Sequence, residues 1–142
     1  MKNTNIIKTI CTLAAITLVL PLLLAALTSC ASGKKIIGIV QFGSHESLNN
    51  CYDGIMEGLR EAGINIDDYK IEYMNSNFDP NVSQTQCSRL VNERASVIIA
   101  IATPSAIAAA NAAADSDVPV VYCAITDPSV MANYKNVTGS SD

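Results

Sequence analysis

The fold is decided by the stretch ASVIIAI at residues 95–101, followed by PSAIAAANAAA at 104–114 and VPVVYC at 118–123. The first and last pieces are continuous apolar runs, which are typical of strands buried on both faces of a parallel sheet. The middle piece is rich in alanine, the strongest helix former, and starts with proline, which suits a first helical turn. Together they predict a strand, a crossover helix and a second strand parallel to the first.

The same alternation continues toward the N-terminus. Strands are predicted at 36–40, where IIGIV is a buried β-branched run, and at 70–74, where apolar and polar residues alternate. Apolar residues at helical spacing predict helices at 49–62, which Gly63 would end, and at 81–94. The order β-α-β-α-β-α-β predicts an α/β fold, with a doubly wound parallel sheet and the first strand near its middle.

The first thirty residues have the pattern of an export signal. Lys2 and Lys8 provide a positive start, and residues 10–27 carry no charge. This arrangement, with small residues near a cleavage site, is typical of a secretory signal. About 20 apolar residues could also form a permanent transmembrane helix. Pro21 in the middle of the run and the small residues after it favour the signal.

The end of this segment, LTSC at residues 27–30, resembles a bacterial lipobox. Such a motif implies that the Cys30 thiol receives a diacylglycerol group and that the chain is cut before it. A cysteine that stands there by chance is the alternative. We therefore predict a lipoprotein signal peptide at 1–29, a lipidated tether at 30–35 and a folded domain at 36–142. The lipid would hold this domain on a cell membrane, outside the cytoplasm.

The distribution of charge excludes one class of partner. All thirteen acidic residues follow Cys30, whereas two of the nine basic residues precede it, which leaves a net charge of −6 from Cys30 onward. Phosphate backbones would repel such a chain, so no binding to nucleic acid is expected. No glycine-rich phosphate-binding motif is present, and no cofactor or metal site is predicted.

Three cysteines remain after the predicted cleavage, namely Cys51, Cys87 and Cys123. Two of them could pair in an oxidising compartment. We favour the interpretation that all three are small apolar residues of the core. Their spacing is not that of a metal site, and the single histidine, His45, is distant from them in sequence.

Ligands of open parallel sheets bind beyond the carboxyl ends of the strands, where the strand order reverses. Three predicted loops lie at such ends, at 41–48, 102–105 and 124–128. In the second loop, Thr103 is predicted to cap the helix and Pro104 to start it. The free amides of the helix start would attract a carboxylate, and the hydroxyls of Thr103 and Ser105 would add polar contacts. An ordinary helix cap without a ligand is the alternative.

Single polar residues in the other loops are ambiguous. His45 is more typical of a surface or hydrogen-bonding residue than of a catalytic base. A hydrolase that uses Ser44, His45 and an acid is disfavoured, because adjacent side chains cannot easily face each other and no nucleophile-elbow pattern occurs. Asp127, which precedes a proline, either forms a turn or faces the pocket.

Several stretches, taken in order, resemble ABC-transporter substrate-binding proteins of the tryptophan/tyrosine type. They are IGIVQF at 37–42 with His45 and Leu48, VIIAIATP at 97–104, VPVV at 118–121, AITDP at 124–128, and NVTG at 136–139 with Ser141 and Asp142. The resemblance implies a two-lobed fold of the periplasmic-binding-protein-like type I, with crossing hinge strands. It also implies an aromatic or similar small amino acid gripped between the lobes, and a permease as partner.

The resemblance further implies a set of ligand-binding residues. They are Gln41, Phe42, His45, Thr103, Ser105, Thr126, Asp127, Ser141 and Asp142. Two departures bear on the identity of the ligand. The family tends to have proline and alanine after the histidine and an aspartate after the leucine, where this chain has Glu46-Ser47 and Asn49.

Length is the remaining difference, because members of this family are more than twice as long. Residues 136–142 match the segment where the family chain crosses into its second lobe. We therefore expect most of an N-terminal lobe, as a fragment of a binding protein rather than an enzyme. An extracytoplasmic sensor or partner-binding lipoprotein of the same fold is the alternative.

Overall fold

The computed structural model describes residues 33–141, so the predicted signal peptide and Cys30 lie outside the described residues. Five strands alternate with three helices in this range. The strands are β1 (Lys35–Gln41), β2 (Tyr69–Asn75), β3 (Val97–Ile101), β4 (Val120–Ile125) and β5 (Val137–Ser141). The helices are α1 (Glu46–Glu61), α2 (Pro80–Asn92) and α3 (Thr103–Ala113). Between residues 33 and 141, no helix is both long and apolar enough to cross a membrane.

The predicted strands and helices are confirmed, with ends that shift by at most three residues. Helix α1 begins earlier than predicted because the His45 side chain caps it, its Nδ1 accepting from the Ser47 backbone N–H at 3.3 Å. Helix α2 begins at Pro80 because the Asp79 carboxylate accepts from the amides of Asn81 and Val82. Gly63 follows the end of α1 with φ of 74°, as predicted for a helix stop.

All five strands are parallel and lie in the order β2-β1-β3-β4-β5. The predicted α/β fold and parallel sheet are therefore confirmed, and the strand order reverses between β1 and β3. Strand β5 was not predicted. Its sequence VTGSS has little apolar character because it is an exposed edge strand. Gly139 lets it approach β4, since a Cβ there would lie 2.1 Å from the Tyr122 carbonyl oxygen.

The two faces of the sheet are covered by different helices. Alternate residues of β1, such as Val40, join α2 and α3 in the larger core cluster, and the others, such as Ile39, pack with α1. Gly38 allows α2 to lie close to β1, because a Cβ would meet the Leu90 side chain at 2.3 Å. The alanines of α3 serve the same purpose, with Ala109 fully buried.

The cysteines only partly match the prediction of a buried position. Cys87 is fully buried, and burial raises the pKa of its thiol to about 12. Cys51 on α1 and Cys123 on β4 are half-buried against the core cluster that contains Ile39, and the Cys123 thiol lies 3.9 Å from the Ala100 carbonyl oxygen. Cys51 and Cys87 are free thiols.

Candidate functional site

The carboxyl ends of the strands are joined to one another by backbone hydrogen bonds. The Phe42 N–H donates to the Ile101 carbonyl at 3.2 Å, and the Ala102 N–H donates to the Cys123 carbonyl at 3.1 Å. The loops after β1, β3 and β4 therefore lie side by side where the strand order reverses. This edge is the place at which an open parallel sheet binds its ligand.

Gln41 ends β1 and is fully buried. Its Nε2 donates to the Gly43 carbonyl and to Asn49 Oδ1, both at 2.8 Å. Its Oε1 is buried and has no hydrogen-bond partner among the described residues. The side chain therefore organises the loop after β1, with one acceptor left unsatisfied.

The start of α3 differs from the prediction. Ala102 is the N-cap residue, with no side-chain cap, so the prediction that Thr103 caps the helix was wrong. The helix begins one residue earlier because Ala102 makes the turn itself, with φ of 80° and ψ of 154°. Thr103 is the first helical residue, and its hydroxyl instead accepts from the Thr126 N–H at 3.4 Å. Pro104 lies in the first turn, as predicted.

The first turn of α3 leaves one amide accessible at this edge. The N–H groups of the first helical turn have no partner within a helix, but Pro104 has no N–H and Ser105 is fully buried, which leaves the N–H of the half-buried Thr103. The Ser105 hydroxyl lies elsewhere, because it is fully buried 3.4 Å from Ser83 Oγ. Ser83 in turn donates to Ser76 Oγ at 2.7 Å. The hydroxyl of Ser105 thus belongs to a buried serine chain between helices α2 and α3.

The loop after β4 and the end of β5 contribute exposed polar groups. The Asp127 Oδ1 accepts from the Ser129 N–H at 2.9 Å, so Asp127 forms a turn. This was one of the two roles predicted for it. Hydrogen bonds from the Ser129 hydroxyl and amide lower the pKa of the Asp127 carboxyl. Thr126 is exposed beside it, and Ser141 pairs with Ile125 at the same edge. Asp142 lies outside the described residues.

The loop after β1 holds Ser44 and His45, and each has a partner other than its neighbour. Ser44 Oγ accepts from Asn75 Nδ2 at 3.0 Å, and His45 Nδ1 lies 2.9 Å from Ser47 Oγ. His45 is an exposed, hydrogen-bonding helix cap, in line with the favoured prediction for it. Ser44 and His45 do not form a nucleophile and base pair in this arrangement.

No motif in the sequence marks Phe78, which the structure brings to this edge. Its N–H donates to the Phe42 carbonyl at 2.7 Å, and the two rings pack edge to face with centroids 5.7 Å apart. Phe78 is 55% exposed. No strand or helix pattern places residue 78 beside residue 42, because the contact depends on the turn after β2.

Concave surfaces of the described residues lie away from this edge. A cavity of about 520 Å³ is lined by the turn between α1 and β2, including Arg60 and Asp67. Another, of about 550 Å³, lies at the amino ends of β3 and β4. We favour the carboxyl edge as the site because the start of α3, the Asp127 carboxylate and two aromatic rings lie there. Among residues 33–141 no three His, Cys, Asp or Glu side chains are grouped as metal ligands.

Comparison with protein families gives one match, which spans nearly all of the described residues. The model of the family described as ABC transporter substrate binding protein matches residues 36–142. A tyrosine-binding protein of Clostridioides difficile (strain R20291) is 36% identical over 117 residues, which are 77% of this chain and 33% of that protein.

Solved structures show the same similarity. The ABC domain from Streptococcus pneumoniae in complex with L-Trp is 41% identical, with a TM-score of 0.68, over 78% of this chain and 39% of that one. A ligand-free, open substrate-binding protein with adhesive properties from Clostridium difficile is 32% identical, with a TM-score of 0.69. The match covers 76% of this chain and 39% of that one. The chain thus spans about a third of the curated relative that it matches, and 39% of each of these two structures.

Proposed function

This chain belongs to the family of ABC transporter substrate-binding proteins, and we propose that it supplies one wall of a site for a small amino-acid-like ligand. The intact protein would present that ligand to an ABC permease for import. The L-Trp complex and the tyrosine-binding relative support a ligand of this class. The family is extracytoplasmic, which agrees with the export pattern of residues 1–29.

One observation carries the proposal. The start of α3 and the Asp127 carboxylate lie on neighbouring loops, joined by the hydrogen bond from the Thr126 N–H to the Thr103 hydroxyl. A helix start carries a partial positive charge and free amides, which suit a ligand carboxylate. Asp127 stays ionised at neutral pH and suits a ligand ammonium group. The two opposite charges of an amino acid thus find complementary partners on one edge.

The wall formed by the described residues is open to solvent, and this limits its affinity. A binding site gains most of its affinity by burying the ligand, and water weakens each charged contact on an open surface. We therefore expect millimolar-range binding from this wall alone.

The proposal is tested by titrating the purified full chain with L-tryptophan, followed by NMR methods that detect weak binding. Two analogues are the matched controls: tryptamine lacks the carboxylate, and 3-indolepropionic acid lacks the ammonium group. Both should bind about three- to tenfold more weakly, because each loses a charged hydrogen bond that water on this open wall reduces to about 0.5–1.5 kcal/mol. A chain that binds no amino acid, or that binds both analogues as well as tryptophan, would refute the proposal.

We also propose that Cys30 carries the lipid that anchors the protein on the outer side of a membrane. Labelling cells with a fatty-acid precursor should mark the wild-type chain but not Cys30→Ser, which should also retain residues 1–29. Cys11→Ser is the matched control, because it changes a cysteine of the same segment outside the LTSC motif. Equal labelling and processing of both variants would contradict the lipid anchor.

A partner-binding role is a second candidate, favoured by one observation. The relative from Clostridium difficile is described as a substrate-binding protein with adhesive properties. If this role were the main one, deletion of the chain would reduce surface attachment and leave amino acid uptake unchanged.

A further inference from the structure

The turn between β2 and α2 holds two consecutive residues in the left-handed region. Asn77 has φ of 51° and Phe78 has φ of 63°. Asparagine tolerates this conformation, whereas a bulky residue such as phenylalanine adopts it only at a cost. Strain of this kind persists where the surrounding structure holds it, and it concentrates at binding sites.

Several contacts hold this turn in place. The Phe78 N–H donates to the Phe42 carbonyl at 2.7 Å, and the Asn77 N–H donates to Asn75 Oδ1 at 2.8 Å. The Phe78 ring also lies directly over Gly43, where a Cβ would be 2.3 Å from the ring. The loop after β1 is therefore shaped to receive this ring.

The ring is nevertheless not part of the core. Phe78 is 55% exposed, the largest exposed fraction among the large apolar side chains of the described residues. It packs edge to face on the half-buried Phe42, with an angle of 89° between the rings. The Phe42 N–H donates a hydrogen bond to the Ile101 carbonyl of β3, at the point where the strand order reverses. A strained, well-held and exposed ring thus stands at the proposed ligand edge.

We propose that Phe78, supported by Phe42, contacts the ring of an aromatic ligand and determines the preference of the site for ring-bearing amino acids. This inference rests on the proposed function and adds the residue that selects the ligand. Aromatic rings gain from edge-to-face or offset contact beyond the area that they bury. An aliphatic side chain of similar size gains only the area term.

The test compares Phe78→Leu with Phe78→Tyr in the full chain. Leucine keeps an apolar side chain without a ring, and tyrosine keeps the ring. Ile107→Ala is the matched control, because Ile107 is another exposed apolar residue, on α3. Affinities for L-tryptophan and L-leucine are measured by saturation-transfer NMR, and thermal unfolding verifies that each variant is folded.

Phe78→Leu should weaken tryptophan binding about three- to tenfold and change leucine binding by less than about twofold. Phe78→Tyr should restore the tryptophan affinity, and Ile107→Ala should change neither. Equal weakening of both ligands would mean that Phe78 has only a structural role, and unchanged tryptophan binding would mean that it has none in recognition. Either result overturns the inference while the proposed function stands, whereas a wild-type chain that binds neither amino acid overturns both.

Discussion

Gln41 Nε2 donates a 2.8 Å hydrogen bond to Asn49 Oδ1, which ties the end of β1 to the first turn of α1. The same nitrogen donates to the Gly43 carbonyl, so one buried amide holds both sides of the loop beside the candidate site. Asn49 stands where the resembling family tends to have an aspartate. In this chain its side-chain oxygen is already engaged by Gln41.

The two ends of this bond should contribute unequally to stability. Gln41→Ala removes two hydrogen bonds and leaves a cavity at a fully buried position, so we expect a loss of about 2–4 kcal/mol in the free energy of unfolding. Asn49→Ala removes one bond at an exposed residue and should cost about 0.5–1.5 kcal/mol. Chemical denaturation measures both variants. Equal losses would show that the Gly43 contact of Gln41 adds nothing.

Ala102→Gly should stabilise the protein. Its φ of 80° with ψ of 154° lies in a region that is nearly restricted to glycine. Glycine relieves this strain but loses more conformational entropy on folding than alanine does. The net increase in the free energy of unfolding should be about 1 kcal/mol. Ala112→Gly, inside α3, is the matched control and should lose about 1 kcal/mol. Thermal unfolding that places both variants below the wild type would contradict the strain at Ala102.

Thr103→Val separates binding from stability. Thr103 does not cap α3, and the bond that its hydroxyl accepts from the Thr126 N–H is exposed and long at 3.4 Å. Its loss should therefore change the free energy of unfolding by no more than about 0.5 kcal/mol, rather than the ~1 kcal/mol of a lost cap. If its hydroxyl contacts the ligand carboxylate, affinity should fall about three- to tenfold, since this wall is open to solvent. Thr85→Val is the control, since that exposed hydroxyl bonds to the Asn81 carbonyl on α2. Unchanged ligand affinity in titrations would remove Thr103 from the site.

Acid should destabilise the fold partly through Glu72 on the edge strand β2. The hydrogen bond from Lys70, and then the charge of Arg89, lower the pKa of its carboxyl below the ordinary 4.5. The unfolded chain therefore takes up the proton first, so this contribution is present above about pH 4.5 and is lost as pH falls through the lower folded pKa.

Glu72→Gln should remove this part of the pH dependence. The Lys70 and Arg89 side chains are more than half exposed, so solvent screening limits the loss at pH 7 to about 0.5–1 kcal/mol. The curves of variant and wild type should converge once the pH falls below the lowered pKa of the folded-state Glu72 carboxyl. Glu57→Gln, in an exposed pair with Arg60, is the control and should follow the wild type. Parallel curves for Glu72→Gln and the wild type would exclude Glu72 as the cause.

Much of the fold could be predicted because each buried element carries a local pattern. The apolar run at 97–101 and the alanines of α3 have their expected structures, and the loops after β1, β3 and β4 meet at one edge. Strand β5 could not be predicted, since an exposed edge strand with a glycine has no apolar pattern. The ligand-binding roles of all nine predicted site residues stay predictions.

The sequence by itself determined the order of β1 to β4 and of the three helices, the parallel sheet and the loops that form its carboxyl edge, because burial imposes an apolar run or an apolar spacing on each of these elements. Only the tertiary structure decided which way individual side chains point at that edge. It buries the Ser105 hydroxyl against Ser83, makes Ala102 rather than Thr103 the start of α3, and brings Phe78 onto Phe42. These outcomes depend on strand register and on single left-handed residues, which join segments distant in sequence and leave no repeating pattern in it.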